Sequence, residues 1–147
     1  MGWIFLWAFM DKLWGLGIST APEKSWLLGN SPTSGFLSSA AYGPFSAFFH
    51  SLAGSPVVDW LFMMGLLLIG LSLILGIGVK IAGYSGTLLV MLMWLSMLPP
   101  KQNPILDDHV IYAFLLLALA TAKSGRWIGF GEWWSSTSLV KKFPFLE

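Results

Sequence analysis

Apolar residues run almost unbroken through four stretches of the chain, at about 1–17, 57–78, 81–98 and 108–122, and polar residues collect between them. A membrane-crossing helix needs roughly 20 mostly apolar residues, so each stretch predicts a span. The second carries the strongest signal, with Leu61-Phe62-Met63-Met64-Gly65-Leu66-Leu67-Leu68-Ile69-Gly70 at its centre. Pro99-Pro100 stops the third. Only a tight turn with Lys80 separates the second and third, which makes them antiparallel neighbours. The fourth is short unless flanking residues extend it. The first is short too, which implies a tilted helix or a natural start further upstream. It does not read as a cleavable signal, because no basic region precedes it and Asp11-Lys12 interrupts the apolar run. The predicted fold is an all-α integral membrane protein, a four-transmembrane-helix bundle forming a single domain over 1–147.

Between the first two spans lies a long loop, Ile18 to Pro56, with a turn cluster at Gly29-Asn30-Ser31-Pro32-Thr33-Ser34-Gly35. Phe36, Leu37, Phe45, Phe48, Phe49 and Leu52 follow it and are too apolar for a free aqueous loop. Short interfacial or re-entrant helices that cover one side of the bundle are therefore expected here. The segment Lys123 to Glu147 mixes Trp133-Trp134 with Lys141-Lys142 and is expected to lie along the membrane surface. Small residues at helical spacing, Ala82 with Gly86 and Ala118 with Ala122, predict close helix packing.

Composition strengthens the membrane reading. Hydrophobic residues make up 56% and charged residues 10%, with mean hydropathy +0.73, against about 25% charged in a soluble domain. Five of nine tryptophans, Trp60, Trp94, Trp127, Trp133 and Trp134, fall near span ends, where amphipathic rings favour the interface. A net charge of +1 without a basic stripe argues against nucleic acid. The lack of cysteine excludes disulfides and thiolate metal or iron–sulfur sites. Basic residues set the orientation: Lys80, Lys123, Arg126, Lys141 and Lys142 fall on one side and Lys12, Lys24 and Lys101 on the other. That bias places both termini in the cytoplasm and the long loop outside.

The same topology brings polar groups to one membrane depth. Asp11 and Lys12 lie near the outer end of span one, Asp59 and Trp60 start span two, and Trp94 lies near the outer end of span three. Asn103 and Asp107-Asp108-His109 open span four, with Tyr112 one turn beyond Asp108. Ionisable groups at membrane depth are candidate functional groups, and these are expected to converge on one pocket. Each also has a structural alternative. Lys12 can snorkel to the interface, Asp59 and Asp107 can favour the starts of their helices, and a carboxylate can be neutralised by a lysine. His109 is a candidate for proton exchange, as imidazole side chains in general are. With His50 it makes no metal site, because two distant histidines are too few ligands.

Several segments together resemble the DoxX/DoxD family of small membrane proteins. They are Phe5-Leu6-Trp7-Ala8-Phe9-Met10-Asp11-Lys12, Ser31-Pro32-Thr33-Ser34-Gly35-Phe36-Leu37, Pro56-Val57-Val58-Asp59-Trp60, Gly65-Leu66-Leu67-Leu68-Ile69-Gly70, Leu98-Pro99-Pro100, Asn103-Pro104 and Asp107-Asp108-His109. The resemblance covers nearly the whole chain and departs from the family pattern in having fewer residues before the tryptophan-rich first segment. It implies a four-helix membrane bundle and points to DoxD, the membrane subunit of thiosulfate:quinone oxidoreductase, which works with a DoxA partner. No DoxA-like soluble region is present in the sequence, so that partner would be a separate chain. The expected function is then a quinone-linked oxidoreductase subunit. Asp108 and His109 would bond a quinone carbonyl and relay protons, Asp11 and Lys12 would set the local charge, and Trp60 or Trp94 would stack on the ring, with Asp59, Asn103 and Tyr112 completing the site. The alternative is a non-catalytic membrane anchor or assembly module for a redox complex. A carrier is disfavoured, because no internal repeat or broken helix is visible.

Overall fold

Pro56 at the first turn and Gly76 just past the last residue delimit the longest helix of the computed structural model, which describes residues 1–101, 103 and 105–147. Pro104 of the span-four entrance lies outside the described residues. The described residues are all helical, with no strand and one isolated bridge between Tyr42 and Met97. Four longer helices, α1 (Gly2–Trp14), α3 (Pro56–Leu75), α4 (Val79–Ser96) and α5 (Asp108–Thr121), are joined by shorter ones, among them α2 (Ser46–Ser51) in the long loop. Their boundaries fall within three residues of the predicted spans. Two helices, α3 and α4, are long and apolar enough to cross a membrane, with 20 and 18 residues and mean hydropathies of 2.3 and 1.4. The others are shorter than the predicted spans: α1 has 13 residues and α5 has 14.

Gly76 and Gly78, both at positive φ, reverse the chain within three residues and set α3 and α4 side by side. Helix α1 packs on α3, α3 on α4 and α4 on α5. One core is shared by all four: Phe5 and Phe9, Met63, Leu66 and Ile69, Ala82 and Val90, Ala113 and Leu116. Small residues let backbones touch. A Cβ on Gly70 would lie 2.8 Å from the Leu6 backbone nitrogen, and one on Gly83 would lie 2.6 Å from the Ala120 Cβ. Ala82 and Gly86 face the core as expected, but Ala118 and Ala122 are exposed. The packing stripe of α5 is Ala113-Leu116-Ala120, because Leu116 fills the space beside Gly86 and turns Ala118 outward.

The outward faces are as apolar as the core. Leu61, Leu68, Leu88, Ile111 and Phe114 are 60% exposed or more among the described residues. The long loop folds over one end of α3 and α4, where Leu37, Ala41 and Phe49 form a second small core against Val58 and Leu95. At the opposite end the tail folds back on the α3–α4 turn. Gly125 and Gly131 press on Gly76, and the Phe130 amide donates to the Leu75 carbonyl at 2.7 Å. After α6 (Gly131–Ser136) and α7 (Ser138–Lys142), the Glu147 carbonyl accepts from the Lys80 amide at 2.8 Å, satisfying an orphan donor in the first turn of α4. The Glu147 side chain pairs with Lys123 at 3.1 Å and with Arg126.

Replacing Gly83 by valine should lower stability by about 1–3 kcal/mol through overpacking at α4–α5, read as a fall in thermal midpoint. The tail should respond to acid. Burial pushes the Glu147 carboxyl up, but the Lys123 hydrogen bond and the Arg126 and Lys123 charges outweigh it and hold it below its ordinary value. A depressed carboxyl stabilises the docked tail above the ordinary carboxylate range and stops doing so as pH falls through the lowered value. Fluorescence anisotropy of a dye on Phe145→Cys should therefore stay constant at neutral pH and drop only below that range, with Glu147→Gln removing the transition.

Candidate functional site

Two buried carboxylates shape the end of the bundle that carries the long loop. Helix α1 stops at Gly15, whose φ of 68° takes it out of the helix. The Asp11 carboxylate, fully buried, then accepts from the Ile18 and Ser19 amides at 3.3 Å and from the Ser19 hydroxyl at 2.6 Å. This folds residues 15–20 back over the end of α1. Asp59 does the same for the turn cluster: it accepts from the Ser31 hydroxyl at 2.8 Å, the Thr33 amide at 3.3 Å and the Thr33 hydroxyl at 2.5 Å. A carboxylate near a helix start favours the dipole as well, but the geometry gives Asp59 the further task of anchoring a loop 26 to 28 residues away in sequence.

Between these anchored turns and helices α3 and α4 lies a cavity of about 740 Å³. The polar lining includes Lys12, Lys24, Asn30 and the hydroxyl residues Ser19, Thr20, Ser31, Thr33 and Ser34. The apolar lining includes Leu61 and Phe62 of α3, Leu89, Leu92 and Met93 of α4, and Phe36 and Phe49 from the loop. Leu61 and Leu92 also belong to the exposed outer surface, so the cavity opens on the apolar flank of the bundle. Adjacent helix residues point about 100° apart, which is why Asp11 faces the turn while Lys12 faces the cavity. Lys12 is half-buried and has no carboxylate within 4 Å among the described residues, since the Asp11 oxygens are engaged by residues 18 and 19. The arrangement can hold an amphiphile, donating from the Lys12 and Lys24 ammonium groups and packing a chain against the apolar residues.

Of the predicted site residues, Lys12 alone lines this cavity. Asp107 is the N-cap of α5, accepting from the His109 and Val110 amides at 3.0 and 3.3 Å, and the His109 ring bonds back to it at 2.7 Å. Asp108 is exposed on the first turn of α5. Asn103 accepts from the Ile105 and Leu106 amides, and the Trp94 indole donates to the Ile105 carbonyl at 3.1 Å. Trp60 meets Trp26 edge to face at 4.8 Å, and Tyr112 packs on the core. The expected convergence is therefore not what the fold builds: most of these groups hold local turns, and the hydroxyls that do converge with Lys12 come from the loop. The sequence marks Ser31, Thr33 and Ser34 only as part of a turn cluster. Their partnership with Asp59 exists only in the folded chain. Among the described residues no three His, Asp or Glu lie close enough to hold a metal ion.

Asp59→Ala should cost about 1–3 kcal/mol by leaving the buried Thr33 donors unpaired. Hydrogen exchange at Thr33 should accelerate, while Asp59→Asn, which keeps an acceptor, should lose less. Unchanged exchange in Asp59→Ala would contradict the anchoring role.

No protein-family model, curated protein or solved structure matches the chain.

Proposed function

We propose that this chain is a multi-pass membrane protein whose four longer helices lie in the bilayer, and that it serves as the quinone-binding membrane subunit of an oxidoreductase. Two observations support the membrane part: the lengths and hydropathies of α3 and α4, and the uncovered leucines and phenylalanines around the bundle. Helices α1 and α5, at about 1.5 Å per residue, reach only about 20 Å. The folded loop and tail, with local thinning of the bilayer, make up the difference. Lys80, Lys123, Arg126, Lys141 and Lys142 favour the cytoplasm for the tail end. The start of α1 lies at that same end, since Gly2 packs beside Ile74, so both ends of the chain face the cytoplasm in this reading.

The observation that carries the quinone reading is the cavity itself: two ammonium groups, Lys12 and Lys24, among hydroxyl residues, and a mouth among outward-facing leucines. Lys12 and Lys24 would hold the carbonyl oxygens of the ring, and Leu61, Leu92 and Met93 would pack the isoprenoid chain and exclude water. A quinone, when bound, supplies the acceptor for electrons. Lys12 stands at the ring end as hydrogen-bond donor and local positive charge, the role expected first of Asp108 and His109. The resemblance to DoxD adds thiosulfate as electron donor and a separate DoxA-like partner to this reading. Association of the chain with itself is compatible with it.

One observation favours the non-catalytic anchor or assembly module instead: Asp11, Asp59 and Asp107 are all engaged in hydrogen bonds that hold turns and a helix start. Quinone binding separates the two. Purified protein in lipid nanodiscs, titrated with a short-chain ubiquinone or menaquinone analogue and followed by tryptophan quenching, should show saturable binding. Lys12→Met should weaken it by about tenfold or more, the loss expected for a hydrogen bond from a charged donor. No saturable binding by the unmodified protein would leave the anchor reading.

A further inference from the structure

A second cavity, of about 230 Å³, lies at the opposite end of the bundle, between the α3–α4 turn, the end of α5 and the folded-back tail. Its wall carries three cations, Lys80, Lys123 and Arg126, against one carboxylate, Glu147, with Tyr84 and Trp134 beside them. Glu147 already shows what the place accepts: its carboxylate is held by Lys123 and Arg126. Lys80 is half-buried and has no carboxylate within 4 Å among the described residues, so positive charge is left over. The first turn of α4, at Val79 and Lys80, adds the positive end of a helix dipole to the same wall. Lys123 is fixed in the left-handed conformation at φ 51°, unusual for a residue with a side chain.

From this geometry we infer that the cavity binds the phosphodiester of an anionic phospholipid headgroup, with Glu147 as an internal competitor for the same cations. The surroundings favour a lipid over a free anion. Trp127 and Ile128, in the segment that closes the cavity, are 82% and 85% exposed, an apolar edge suited to acyl chains and the interface. Basic pockets at the cytoplasmic ends of transmembrane helices are suited to acidic headgroups. The inference rests on the membrane reading above and not on the quinone.

Native mass spectrometry of the full chain in neutral detergent, with dioleoylphosphatidylglycerol, dioleoylphosphatidylcholine or inorganic phosphate added, tests it. Phosphatidylglycerol should be retained in preference to phosphatidylcholine. Lys80→Gln should weaken that retention about fivefold, the contribution of one basic residue near an acidic surface. This variant breaks no ion pair, so the tail stays docked. Equal retention of the two lipids, or no effect of Lys80→Gln, would overturn the inference. Binding of inorganic phosphate without a preference for phosphatidylglycerol would assign the pocket to a free anion and overturn the lipid source. Quinone binding should be unchanged in Lys80→Gln, so failure of the quinone reading leaves this outcome independent.

Discussion

The constraint on which this structure depends is that the outside of the helix bundle is as apolar as its inside. Met63, Leu66 and Leu116 fill the core, but Leu68 and Phe114 on the same helices are exposed. When the surroundings are as apolar as the side chains, burying a leucine between helices gains little, and close backbone packing must hold the helices together. Gly70 against Leu6 and Gly83 against Ala120 supply it. The reversal at Gly76 and Gly78 and the contact of Gly125 with Gly76 extend the same principle to the turn and tail.

An apolar environment also raises the cost of every unpaired polar group. The buried carboxylates answer that cost locally. Asp11 and Asp59 each collect loop donors, and in doing so they fold the long loop onto the ends of α1 and α3. The cavity is a consequence. Its hydroxyls are placed by the turns the carboxylates anchor, and Lys12 is placed by its position next to Asp11 on the helix. At the other end Lys123, Arg126 and Glu147 form the corresponding ionic lock, and lysines that line the two cavities, Lys12 and Lys24 at one end and Lys80 at the other, have no acidic partner within 4 Å among the described residues.

The helices were legible in the sequence because length and hydropathy decide them, and Asp107 marks a boundary that the structure keeps. The N-cap role of Asp107 was legible for the same local reason. The site was legible only in part. Which of Asp11 and Lys12 faces the loop depends on how α1 rotates against α3, and that rotation is set by Gly2 and Gly70 in contact, a pairing across 68 residues. The link from Asp59 to Ser31 and Thr33 is likewise non-local. Asp108 and His109 drew attention as charges at a helix entrance, yet His109 completes the cap on Asp107 and Asp108 stays at the surface. The folded-back tail was missed because a Lys- and Trp-rich segment has the composition of a surface helix, whereas Gly125 and Gly131 let it dock on the turn.

The absence of cysteine in the sequence makes one measurement direct. Single cysteines placed at Leu68 and Phe114, on the outward faces of α3 and α5, and at Lys141 in the exposed tail would be challenged with a charged maleimide in permeabilised vesicles. Lipid around the bundle predicts rapid modification at position 141 and protection at positions 68 and 114 until detergent and denaturant are added. Equal, rapid modification at all three positions in intact bilayers would contradict it.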